Sequence, residues 1–150
     1  MPSNAFKTAL FLSAYAVAMA MVEAATVVYL RELYYPQGFF IRSAADLAVI
    51  PAHILTVELW REAATIVMLI AVGWLASPRR GMRIAAFLYA FSVWDLGYYL
   101  FLYLFLSWPP SLGTTDVYFL IPWPWLGPVW IPLALFAAVG GASLYYLLKK

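Results

Sequence analysis

Four long apolar stretches, set apart by short polar or proline-rich segments, give the chain its pattern. The first, Thr8 to Leu30, holds one charge, Glu23. About 20 apolar residues rising 1.5 Å each cross the hydrocarbon core of a bilayer. A secretory signal is the rival reading, because Ala18-Met19-Ala20 resembles a small-residue cleavage site. Only Lys7 precedes the apolar run, however, and the run continues well past Ala20, so a span is expected. The second stretch is Ile54 to Ala76. Its clean part, Ala63 to Ala76, reaches only about 21 Å, so the helix must include Glu58, Arg61 and Glu62. The third, Ile84 to Leu106, contains Asp95, and the fourth, Val129 to Leu148, contains no charge. The pattern predicts an all-α membrane protein: one domain over residues 1–150, a bundle of four transmembrane helices at about 8–30, 54–76, 84–106 and 129–148.

Composition agrees. Hydrophobic residues make up 66% of the chain and charged residues 11%, whereas a soluble domain needs about 25% charged residues for its wet surface. A net charge of +2 gives no basis for nucleic-acid binding. The absence of cysteine excludes disulfides and iron–sulfur clusters, and a single histidine excludes bis-histidine haem within a monomer. No P-loop, dinucleotide fingerprint, zinc-protease motif or nucleophile elbow occurs.

Charge also orients the chain. Arg79, Arg80 and Arg83 lie between the second and third stretches, Lys149 and Lys150 follow the fourth, and Lys7 precedes the first. With four spans, all fall on one side, which the positive-inside rule makes the cytoplasm. Both termini are then expected inside. The connections Arg31–His53 and Ser107–Pro128 are expected to face outward. The second of these carries Trp108-Pro109-Pro110 and Pro122-Trp123-Pro124-Trp125, prolines too dense for a helix. It reads either as an aromatic interfacial belt or as an aromatic lid over a site. Arg31 and Glu32 read as an interfacial anchor. Ala134, Ala137, Ala138 and Gly141 form a small-residue stripe on the fourth helix, suited to packing within the bundle or to a seam with a second copy or a larger complex.

The candidate chemistry lies in the intramembrane charges. Counted from the inner boundary, Glu23 stands about 22 Å up, Glu62 about 21 Å and Asp95 about 17 Å. Three carboxylates on three helices thus share one layer in the outer half of the membrane, with Arg61 beside them, Glu58 about one turn higher and His53 near the surface. Glu58, Glu62 and Thr65 share a helix face. One arginine cannot balance four acids, so the others must be protonated, reach water, or share a cation. Glu23, Glu62 and Asp95 are therefore the expected ligands or proton carriers, supported by Glu58, Arg61 and His53. A divalent ion bound by oxygen ligands would be Mg²⁺, Ca²⁺ or Mn²⁺, or iron or zinc if His53 or a water joins.

The segments Met21–Pro36 (MVEAATVVYLRELYYP) and Val57–Thr65 (VELWREAAT), with Val93-Trp94-Asp95, resemble stretches of bacterial four-span integral membrane proteins. The resemblance implies a bacterial plasma membrane and brings no activity, cofactor or catalytic residue with it. Two functions remain open on sequence: an intramembrane site binding a metal ion or protons, for transport or metal-assisted chemistry on a lipid-soluble substrate, or a non-catalytic subunit bracing a larger membrane complex.

Overall fold

The computed structural model describes residues 4–149. Helix α1 spans Asn4–Tyr34, α2 Ala52–Leu75, α3 Arg80–Leu106 and α4 Trp130–Lys149. A short 3₁₀ helix, Ala44–Val49, interrupts the first long connection, and a hairpin of β1 (Thr115–Phe119) and β2 (Trp125–Pro128) fills the second. The protein is thus mostly helical. Helices α1, α3 and α4 are long and apolar enough to cross a membrane. Helix α2 has the length, at 24 residues, but carries Glu58, Arg61 and Glu62 in its first half.

The helix ends follow local chemistry. The Pro51 carbonyl accepts the first bonds of α2, from Ile54 N (2.9 Å) and Leu55 N (3.0 Å). Ser77-Pro78 prevents its continuation, since the residue before proline is driven out of the helical region. Helix α3 stops at Ser107, which adopts a left-handed conformation (φ 51°) before Trp108-Pro109-Pro110. Pro132 sits in the first turn of α4, where its missing N–H costs no helical bond.

Helix α3 is the hub, with α1, α2 and α4 each packed on it, while α1 and α2 barely touch. Small residues set the crossings. Ala16, Ala20 and Ala24 are fully buried on α1, and a Cβ on Gly97 would come within 2.9 Å of the Ala20 methyl. Gly73 lies against the Phe87 backbone in the same way, and Gly140 against Ser92. The stripe Ala134, Ala137, Ala138 and Gly141 is exposed, facing away from the bundle. It does not pack inside the bundle, because Pro132, Gly140, Ser143 and Leu147 form the buried face of α4.

The hairpin closes one end of the bundle. Thr115 pairs with Pro128, Asp116 with Gly127 and Val117 with Leu126, and a bulge lies before Phe119–Trp125. Pro122–Trp125 is non-helical, as the prolines require. Its Trp123 and Trp125 rings stack on one another and remain exposed, whereas Trp108 is buried. The cover over the bundle is therefore hairpin backbone and Trp108, with the Trp123–Trp125 pair turned outward.

Candidate functional site

A cavity of about 110 Å³ lies where α1, α2 and α3 meet the hairpin. Each element contributes through its own periodicity. Helix α1 presents Glu23, Val27, Leu30 and Arg31, spaced at one helical face. Helix α2 presents Glu58, Arg61 and Glu62, α3 presents Asp95 and Tyr98, and β1 presents Asp116. Five carboxylates and two guanidinium groups line the wall, an excess of three negative charges.

Two ionic clusters organise this wall. In the first, Arg61 joins α2 to α1. Its Nε donates to both Glu58 oxygens at 3.0 Å and its Nη2 to Glu58 Oε2 at 2.6 Å. Its Nη1 reaches Glu23 Oε2 at 2.5 Å, and the Thr65 hydroxyl approaches the same oxygen at 3.4 Å. In the second cluster, Arg31 Nη2 donates to Asp116 Oδ1 at 3.2 Å and the Tyr99 hydroxyl to Asp116 Oδ2 at 2.9 Å. The Arg31 guanidinium is sandwiched between Phe39 and Trp108, 3.9 Å from each ring centroid. Arg31 is thus a buried ion-pair partner and not the interfacial anchor expected from sequence, because the hairpin folds back and delivers Asp116 to it. Burial pushes the Asp116 carboxyl up, against the opposing pull of Arg31 and of the Tyr99 hydrogen bond. Burial likewise raises the Tyr118 phenol, with the Asp116 charge adding to it.

Glu62 plays a different part. Its Oε1 accepts from Leu120 N (2.8 Å) and its Oε2 from Ile121 N (3.0 Å), so both oxygens hold the hairpin tip. Asp95 is buried, and its Oδ2 has no hydrogen-bond partner. Glu23, Glu62 and Asp95, the carboxylates singled out by depth, therefore lie on one cavity wall with Glu58 and Arg61. His53 is exposed at the start of α2 and does not line the cavity. Among the described residues, no three acidic or histidine side chains stand together as a ready ligand set for a metal ion. Asp116 and the aromatic clamp on Arg31 escaped the sequence reading. The one available signal was a lone acid inside an otherwise apolar, proline-rich connection.

A second cleft reaches the same ion pair from the opposite side. Because α1 and α2 barely touch, a gap of about 330 Å³ lined by Tyr15, Met19, Val22, Ala64 and Met68 runs between them. Glu23 and Arg61 line both this gap and the inner cavity.

Comparison with protein families, with curated proteins and with solved structures gives no match for this chain.

Proposed function

We propose that the protein is a bacterial plasma-membrane protein that crosses the bilayer four times, with both termini in the cytoplasm, and that its outer cavity binds a cation. Asp95 carries this reading. It is a buried carboxylate whose Oδ2 lacks a partner, on a wall with three surplus negative charges. An uncompensated charge at the centre of a membrane helix costs about 2.5–3.5 kcal/mol on insertion scales, and a bound cation removes that cost. The donor set favours a proton over a metal ion. Glu62 spends both oxygens on hairpin amides, and Glu23 and Glu58 share Arg61. Asp95 is then the proton carrier, the Arg61 cluster sets the local field, and the gap between α1 and α2 gives a lipid-soluble substrate a lateral path to the site.

Infrared difference spectroscopy during hydrogen–deuterium exchange tests this reading. Wild-type protein should show the C=O stretch of a protonated carboxylic acid, and Asp95→Asn should lose it while keeping its fold. Stoichiometric divalent metal in wild type, lost in the same variant, would make the cation a metal ion. Neither band nor metal would end the cation reading. The outward-facing stripe on α4 would then favour the second function, an accessory subunit that docks through Ala134, Ala137, Ala138 and Gly141.

A further inference from the structure

Charge is sharply divided along this molecule. All seven acids, Glu23, Glu32, Asp46, Glu58, Glu62, Asp95 and Asp116, belong to the hairpin end, together with Arg31, Arg42 and Arg61. Among the described residues the opposite end holds Lys7, Arg79, Arg80, Arg83 and Lys149 and no acid. At that end a groove of about 560 Å³ runs along the α2–α3 seam, beside the close approach of Gly73 to Phe87. Its apolar walls are Ile70, Ile84 and Phe87, its rim is Arg80 and Arg83, and Trp74 stands beside them. Trp74 is 61% exposed and Ile84 52%.

Arg83 is fixed in place. Its Nε donates to the Ser77 carbonyl at 2.8 Å, and its guanidinium lies 4.0 Å over the Trp74 ring. Among the described residues no carboxylate pairs with Arg79, Arg80 or Arg83. An oriented guanidinium with open donors suits a phosphate. Apolar walls continuing from it along two helices suit a chain attached to that phosphate.

We propose that this groove binds an anionic phospholipid, its phosphate held by Arg80 and Arg83 and one acyl chain laid along Ile70, Ile84 and Phe87. Charge complementarity selects the occupant, since a zwitterionic headgroup brings an ammonium group to an end that is already entirely cationic. The inference is independent of what the outer cavity does.

The test uses the full chain in phosphatidylcholine vesicles containing a minor fraction of phosphatidylglycerol brominated high on its acyl chains. Bromine quenches nearby tryptophan, and the signal of Trp74 is isolated by subtracting that of Trp74→Phe. Brominated phosphatidylglycerol should quench Trp74 in preference to brominated phosphatidylcholine, by roughly fivefold for each arginine engaged. Arg80→Gln with Arg83→Gln should abolish the preference, and the corresponding lysine pair should retain much of it. Lys7→Gln, a change at the same end but outside the groove, should leave it intact. Equal quenching by both lipids in wild type, a preference surviving the double glutamine change, or an equal loss in Lys7→Gln would overturn the proposal. Displacement by soluble glycerol phosphate would also overturn it, by showing an anion site without a place for the chain.

Discussion

Arg31 is 5% exposed, and its charge is balanced by one acid that lies 85 residues away in sequence. Removing one member of a buried pair leaves the other uncompensated, at a cost of about 3–5 kcal/mol, whereas an apolar replacement of both can be neutral. Arg31→Met should therefore lower the thermal midpoint in detergent far more than Arg31→Met combined with Asp116→Leu. Equal midpoints would show that the pair carries no coupling. The pH dependence has a definite sign. Burial raises the folded-state titration of Asp116 above its ordinary 3.8. Its contribution to stability is thus fully present below pH 3.8 and is lost as pH rises through the raised value. Without Arg31 the charged form loses the cation paired with it, so Arg31→Met should show a larger loss of midpoint across that rise than wild type. Asp46 runs the opposite way. The Arg42 and Ser43 amides, at 2.7 and 3.0 Å, hold its carboxylate below the ordinary value, so this turn should loosen only as acid protonates it. Hydrogen exchange of those two amides against pH reads that change directly.

The hairpin is the element that converts separated charges into a site. It brings Asp116 to Arg31 and offers two amides to Glu62. Prolines 122 and 124 ruled out a helix here, which was legible, but the strand pairing was not. Thr115–Phe119 is too short to show a period of two and buries its acid, Asp116, while Val117 and Phe119 are only half-buried, and its register depends on a bulge and on Gly127. A Cβ at Gly127 would meet the Tyr118 ring at 2.8 Å, and the Tyr118 hydroxyl donates to the Pro128 carbonyl at 2.6 Å. Depth counting put Glu62 in one layer with Glu23 and Asp95, and it lines the cavity with them, but its partners were not legible, because main-chain amides leave no signature in sequence. Glu62→Gln replaces one acceptor oxygen with a donor and sets it against an N–H. Losing such a charge-assisted bond costs about 1.5–3 kcal/mol. Hydrogen exchange at Leu120 and Ile121 should accelerate accordingly, with the helices unaffected. Unchanged protection at both amides would remove Glu62 from its holding role.

At the scale of the whole molecule, the length of the apolar runs explains why the helices were legible. A span must be apolar over a fixed length, so hydropathy alone places α1, α3 and α4 within a few residues of their ends. Helix α2 is the weak case, because Glu58, Arg61 and Glu62 interrupt its apolar run. Those charges face α1, the hairpin and the cavity, and Trp60, Val67 and Leu75 remain exposed. The topology depends on this helix. If α2 crosses, the chain has four spans and its ends share a side. If α2 lies outside the core, three spans put the ends on opposite sides. The charge division separates the two cases: the hairpin end sums to −4 (three cations, seven acids) and the described residues of the other end to +5. A three-span topology would strand part of that cationic end across the membrane against the positive-inside bias. A reporter fused after Lys150 and another placed before Lys7 should both read as cytoplasmic, and a cysteine at Trp123 should be labelled from outside. Opposite readings at the two ends would reduce the protein to three spans and remove α2 from the membrane.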